Sequence, residues 1–168
     1  MALYWLPLGA GGHFVRLVGR LYSPRTALFH SALEVEGHVI EMAPVWNEKA
    51  LDRGVVVEGP VGLRVLGRSR AFRYEVRRWR DGRIPDVAEA VDSPRPVRAD
   101  PRVVLDLVPS VPPLVWGRDE RRTGEMWNSN SVISWLLTRA GVDAAQIRPP
   151  EGGRAPGWAA GIAVARHD

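Results

Sequence analysis

The sequence has 168 residues, of which 45% are hydrophobic and 25% charged, and these ordinary values predict one globular domain over residues 1–168. The absence of cysteine excludes a disulfide framework, a thiolate metal site and a cysteine nucleophile. The formal net charge of +4 comes almost entirely from arginine, since Lys49 is the only lysine. We interpret this as a compositional bias rather than a requirement for guanidinium chemistry.

The sequence predicts neither a membrane-spanning helix nor a signal peptide. No apolar run reaches the roughly 18 residues that a spanning helix needs. The start, Met1 to Gly12, lacks the basic segment and the clear cleavage site of a signal peptide. A cytoplasmic location is therefore the expectation.

The first clear element is a predicted β-hairpin. Ala27–Val35 and His38–Ala43 are strand-like and are separated by the two-residue turn Glu36-Gly37. In the register set by this turn, Ala32 faces Glu41 and His30 faces Ala43. Directly paired side chains share a face of a sheet, so His30 and Glu41 are predicted to be diagonal neighbours on one face.

Further elements are predicted from periodicity and turn residues. Residues 71–79 alternate between apolar and polar types, which is typical of a half-buried strand, and Val103–Val108 predicts a short helix that ends at Pro109. The remaining predictions are a strand or helix at 13–22, a polar loop at 46–54, short strands at 55–57 and 63–66, a long connection at 84–101 and a final strand at 158–165. Strands in the first half followed by a late helix indicate an α+β fold.

That late helix opens with the polar cluster Asn128–Ser131. Asn128 or Ser129 can cap it, and Gly141 is placed to end it. The apolar residues then recur at helical spacing on one face: Val132, Ile133, Leu136, Leu137 and Ala140.

A serine at the start of a helix is a candidate nucleophile, because unpaired amides and the helix dipole stabilise negative charge there. Ser129 lies above the apolar stripe, whereas Ser131 is turned by about 200° and should point away, as should Ser134. Any nucleophile in this cluster is therefore predicted to be Ser129. A capped helix with a purely structural role would show the same pattern.

A serine nucleophile also needs a base and a group that orients the base. Of the four histidines, His30 is predicted to lie in the middle of a strand, beside Glu41. A carboxylate next to an imidazole fixes its tautomer and stabilises the imidazolium. The alternative is that His30 is an interior histidine with a structural role and that Glu41 is a solvated strand residue.

These residues together resemble the circularly permuted NlpC-type, papain-like group, which includes lecithin:retinol acyltransferase-like enzymes. The similarity covers residues 27–45 and 126–141, with weaker support from Arg154–Gly161. It implies a small antiparallel sheet or half-barrel packed against the helix that carries the nucleophile. It also implies His30 as general base, Glu41 as the third polar group and Ser129 at the position of the usual cysteine, with Asn128, Asn130 and local amides near the oxyanion.

The resemblance implies a hydrolase or acyltransferase that acts on an amide or ester bond of a small-molecule, lipid or peptide substrate in a cleft. Serine in place of cysteine leaves a second hypothesis open, in which the fold has lost catalysis and binds a peptide, lipid or protein. No metal-ligand spacing and no cofactor motif occurs, so neither is expected.

A basic nucleic-acid-binding protein is a third hypothesis. Eight arginines lie between Arg64 and Arg83, interleaved with aromatic residues. The small net charge favours instead a solvated sheet face, so nucleic acid is not the expected partner. The sequence makes no prediction about the oligomeric state.

Overall fold

The structure, a computed structural model, describes residues 1–8, 27–45 and 54–167. The elements predicted at 13–22 and, apart from Gly54, at 46–54 lie outside these residues. The described residues form seven strands: β1 (Ala2–Pro7), β2 (Ala27–Val35), β3 (His38–Pro44), β4 (Val55–Pro60), β5 (Arg73–Arg80), β6 (Val91–Pro96) and β7 (Gly153–Arg154). They also form three α-helices: α1 (Pro101–Leu107), α2 (Ser129–Arg139) and α3 (Trp158–His167).

The strands form one open sheet in the order β4-β5-β3-β2-β1-β6, in which every neighbouring pair is antiparallel. The short β7 lies off this path and pairs in parallel with the start of β2. The predicted α+β class is confirmed, and the sheet packs against helices without closing on itself.

The predicted hairpin is confirmed with its turn and register. Val35 pairs with His38, and Glu34 pairs with Val39. Glu36 and Gly37 both have positive φ, at 45° and 73°, as a two-residue turn between twisted strands requires. The described pairing of β2 with β3 covers only the turn end, whereas β2 pairs with β1 from Phe29 to Glu34.

The two faces of the sheet have different neighbours. One face, called here the helix face, packs its apolar side chains against α1, α2 and α3; it includes Leu3, Trp5, Phe29, Leu33, Val35, Ile40, Met42, Tyr74 and Val76. The other face, called here the far face, carries a smaller apolar cluster of Leu6, Ala32, Val39 and Ile84. Side chains alternate along each strand, so neighbouring residues of β2 contribute to different faces.

The helices are set by local signals and by burial. In α1, the Asp100 side chain accepts a hydrogen bond from the Arg102 amide at 2.9 Å and Pro101 occupies the first position, which agrees with the predicted helix at 103–108.

The prediction of a strand at 158–165 is wrong, because this segment forms α3. Apolar residues surround α3 on most sides and leave no clear helical period, while its alanines favour helix.

Three other predictions need correction. Residues 64–66 lie in the 3₁₀ turn Arg64–Arg68, with Leu63 just before it, rather than in a strand, and the predicted connection at 84–101 contains β6. The prolines of β6 argued against a strand in the sequence, but β6 lies at the edge of the sheet, where proline is tolerated. The polar side of β5 was expected to be solvated, but Glu75 and Arg77 are buried.

The longest described helix, α2, has 11 residues, far fewer than the roughly 20 that span a bilayer. Within the described ranges, no helix combines the length and apolar character needed to cross a membrane.

Candidate functional site

The start of α2 is held by a reciprocal cap. The Asn128 Oδ1 atom accepts hydrogen bonds from the amides of Asn130 at 2.9 Å and Ser131 at 3.3 Å. In return, the Ser131 hydroxyl accepts a bond from the Asn128 amide at 3.1 Å. This capping box satisfies amides that a helix start otherwise leaves unpaired. It confirms Asn128 as the cap of the predicted helix.

Asn130 is buried and joins three parts of the fold. Its Oδ1 atom accepts a hydrogen bond from the Ser31 hydroxyl at 2.9 Å. Its Nδ2 atom donates to the carbonyl oxygens of Phe29 and Pro156, each at 2.9 Å. The side chain thus connects α2 to β2 and to the segment that leads into α3. A buried amide with donors and acceptor all engaged is a structural crosslink.

Two further serines of α2 contact the start of α3. The Ser131 hydroxyl donates to the Gly157 carbonyl, and the Ser134 hydroxyl donates to the Trp158 carbonyl, both at 2.8 Å. Both serines are completely buried. As predicted from the helical spacing, both side chains point away from the apolar stripe of α2. On that side they contact the start of α3 rather than solvent.

Ser129 is the first residue of α2 and is nearly buried, with 9% of its surface exposed. Among the described residues, no hydrogen bond to its hydroxyl is present. The other three residues of the cluster, Asn128, Asn130 and Ser131, each bond another part of the fold. The Ser129 side chain makes no such contact within the described residues.

His30 lies on the far face of the sheet. Its neighbour Ser31 points to the helix face, where it bonds Asn130, and Ala32 belongs to the far-face cluster. His30 also pairs across the sheet with Leu6, another member of that cluster. Burial lowers the pKa of the imidazole to about 4, and the negative charge of Asp86 offsets part of this effect. The imidazole is therefore neutral near pH 7.

Glu41 was expected to orient His30, and this contact is absent from the described residues. The two do share the far face, since Val39 of the same strand lies in the far-face cluster. However, the Glu41 carboxylate accepts from the Arg77 guanidinium at 3.0 Å, and Arg77 also bonds Glu75 at 3.1 Å. The prediction missed this arrangement because the partner comes from β5, and the charge acting on His30 comes from Asp86.

The expected oxyanion donors are engaged elsewhere. Asn128 was predicted to support the oxyanion, but its Nδ2 atom donates to the Pro156 carbonyl at 2.9 Å and its Oδ1 atom caps the helix. Asn130 is fully used as a crosslink, and its amide and that of Ser131 already bond Asn128. An oxyanion hole needs free donors aimed at the developing charge. The catalytic roles of Ser129, His30 and Glu41 stay predictions.

A groove of about 380 Å³ lies beside this cluster. Its lining includes Glu125 and continues along the segment from Arg148 to Pro156, whose last carbonyl is bonded by Asn128 and Asn130. Glu125 is itself held, since one carboxylate oxygen accepts the amides of Gly157 and Ala159. Ser129, His30 and Glu41 do not line the groove. The described residues contain no group of three or more side chains suited to hold a metal ion.

Comparison with protein-family models, with curated proteins and with solved structures gives no match for this chain. The papain-like resemblance therefore rests on the motifs around His30, Glu41 and Ser129. Sequence reasoning missed Ser31 and Pro156 as partners of the α2 cluster. The hairpin alternation signals Ser31, because it places that residue on the face opposite to His30, but nothing local identifies Pro156.

Proposed function

We propose that this chain is a binding domain related to the papain-like group, without hydrolytic activity, that takes a peptide, lipid or protein partner. One observation carries the proposal: the side chains of Asn128 and Asn130 and the amides that follow Ser129 are already bonded within the protein. The polar cluster that resembles a catalytic motif is used to position α2 against β2 and the start of α3.

The state of His30 supports the same conclusion. A general base works best when its pKa lies near the operating pH, and burial holds that of His30 near 4. The Ser131 hydroxyl is hydrogen-bonded, whereas that of Ser129 makes no hydrogen bond in the described part of the chain. The Ser31 hydroxyl donates to the side-chain amide of Asn130 and not to an imidazole. Together these contacts favour a structural cluster over a proton relay.

A serine-type hydrolase is the second candidate, and one observation favours it. Ser129 lies in the first turn of α2, and its hydroxyl makes no hydrogen bond within the described residues. In that mechanism Ser129 would attack an amide or ester carbonyl, and a movement of β2 or α2 would have to bring the neutral His30 to its proton. Glu41 would have to leave Arg77 to orient the imidazole.

Labelling by a fluorophosphonate probe separates the two candidates. We expect the folded protein to give no covalent adduct by intact mass spectrometry, while an active serine hydrolase treated in parallel gives one. Ser129→Ala and Ser69→Ala are the matched pair of variants, since Ser69 is an exposed serine outside the cluster. An adduct that is lost in Ser129→Ala and kept in Ser69→Ala would overturn the binding proposal and establish the hydrolase.

A further inference from the structure

A second surface lies away from the α2 cluster, on the segment between β4 and β5. It is called here the 63–72 patch and consists of residues 63 to 72. Nine of these ten residues are exposed. Four are large and apolar, namely Leu63, Val65, Leu66 and Phe72, with 62% of Val65, 47% of Leu63 and 43% of Phe72 exposed. Single exposed apolar residues are ordinary, but four within one short segment form a surface patch.

The patch is also cationic. It contains Arg64, Arg68 and Arg70 and no acidic residue. Arg64 is neutralised by Glu120 in a two-oxygen contact with distances of 2.8 Å. Arg68 and Arg70 make no ion pair within the described part of the chain. Two uncompensated guanidinium groups therefore stand among the exposed apolar side chains.

The backbone holds this patch in a defined shape. Two 3₁₀ turns, Arg64–Arg68 and Arg70–Phe72, follow one another. The ends meet where the Val61 amide donates to the Phe72 carbonyl at 2.8 Å, and Arg73 bonds the Gly67 carbonyl at 2.6 Å. The exposed side chains thus extend from a backbone that is already ordered by hydrogen bonds. This order lowers the conformational entropy lost on binding.

We propose that the 63–72 patch docks on an anionic lipid surface. Arginines attract the headgroups of anionic lipids, while leucine, valine and phenylalanine side chains gain by entering the boundary between headgroups and acyl chains. Nucleic acid fits less well, because three of the four apolar residues, Leu63, Val65 and Leu66, are aliphatic and cannot stack on bases. The proposal does not depend on whether Ser129 is catalytic.

The test is sedimentation of the full chain with lipid vesicles. We expect binding to vesicles of phosphatidylcholine mixed with phosphatidylglycerol and none to phosphatidylcholine alone. Each arginine near an anionic surface contributes about a fivefold change in partitioning, so Arg68→Glu with Arg70→Glu should weaken binding by at least about twenty-five-fold. Val65→Ser should weaken it as well, which a purely electrostatic attraction would not predict, because this substitution leaves the net charge unchanged.

The matched control is Arg98→Glu with Arg102→Glu, which makes the same change in net charge at two exposed arginines outside the patch. This variant should retain most of the binding. All substituted residues are exposed, and circular dichroism verifies that each variant is folded. Absence of binding to the anionic vesicles, or an equal loss in the control, would overturn the proposal. Binding of an oligonucleotide that requires Arg68 and Arg70, without vesicle binding, would assign the patch to nucleic acid instead.

Discussion

The Ser31 hydroxyl donates to Asn130 across the interface between β2 and α2, at 2.9 Å and in a fully buried setting. This contact places the start of α2 over the helix face of the sheet. Because Ser31 points to α2, the side chain of the preceding residue, His30, points to the far face. Strand alternation thus places the predicted base, His30, on the face of the sheet opposite to the one that α2 covers.

Asn130→Ala is expected to lower the free energy of unfolding by about 2–4 kcal/mol, because it removes three hydrogen bonds and leaves buried groups unpaired. Urea denaturation measures the change. Ser129→Ala is the matched control, and it should shift stability by less than about 0.5 kcal/mol, since its hydroxyl makes no described hydrogen bond. Equal losses in the two variants would contradict the assignment of Asn130 as the crosslink.

Stability should fall as the solution is acidified through the window set by His30. Its pKa is about 4 in the folded protein and near 6.5 in an unfolded chain. Between these values the unfolded chain binds more protons, so the free energy of unfolding rises with pH. His30 contributes at most about 3 kcal/mol, fully present above roughly pH 6.5 and lost as the pH falls towards 4.

The measurement is urea denaturation of wild type and His30→Gln across that pH range. The difference between the two proteins isolates the contribution of His30 from that of the other titrating groups. The variant should show the shallower dependence on pH. Parallel curves would show that His30 is accessible to solvent in the folded state and titrates normally.

Arg77 is expected to matter more for stability than its acidic partner Glu41. It is 2% exposed and bonds both Glu41 and Glu75. Arg77→Met leaves two buried carboxylates without this cation and should cost about 3–5 kcal/mol. Glu41→Gln should cost less, because Arg77 keeps its bond to Glu75. Thermal unfolding of both variants tests the order, and a larger loss in Glu41→Gln would contradict it.

Gly161 allows α3 to approach α2 closely. A methyl group at this position would meet the Ser131 carbonyl and the Ser134 hydroxyl. Gly161→Ala should therefore destabilise the protein by about 1–3 kcal/mol, although alanine favours helix by about 1 kcal/mol over glycine. Ala159→Ser, which adds one atom on the exposed side of α3, is the control. An unchanged or higher melting temperature in Gly161→Ala would show that the two helices can separate without cost.

The sequence predicted those elements whose signals are local. Glu36-Gly37 defines the hairpin and its register, and Asn128 with Gly141 defines α2. It did not predict α3, because a helix that is buried on most sides lacks an amphipathic period. It also missed β1, which pairs with β2, and β6, which pairs with β1.

The candidate site divides in the same way. The shared face of His30 and Glu41 follows from strand alternation, which is local. The charged partners of these two residues do not follow from local signals. Arg77, which bonds Glu41, comes from β5, and Asp86, which acts on His30, comes from the loop after β5. The contact between Asn130 and Pro156 depends on how α3 approaches α2, and no spacing in the sequence encodes it.

The order of elements along the chain has a consequence for protein synthesis. Trp5 packs on Trp158 with ring centroids 5.0 Å apart, so the first strand receives its cover from the last helix. Six of the described strands, β1 to β6, are synthesised before α2 and α3, and the nascent chain presents an uncovered apolar face during that interval. We therefore expect a chain truncated before α3 to aggregate or to remain bound to chaperones.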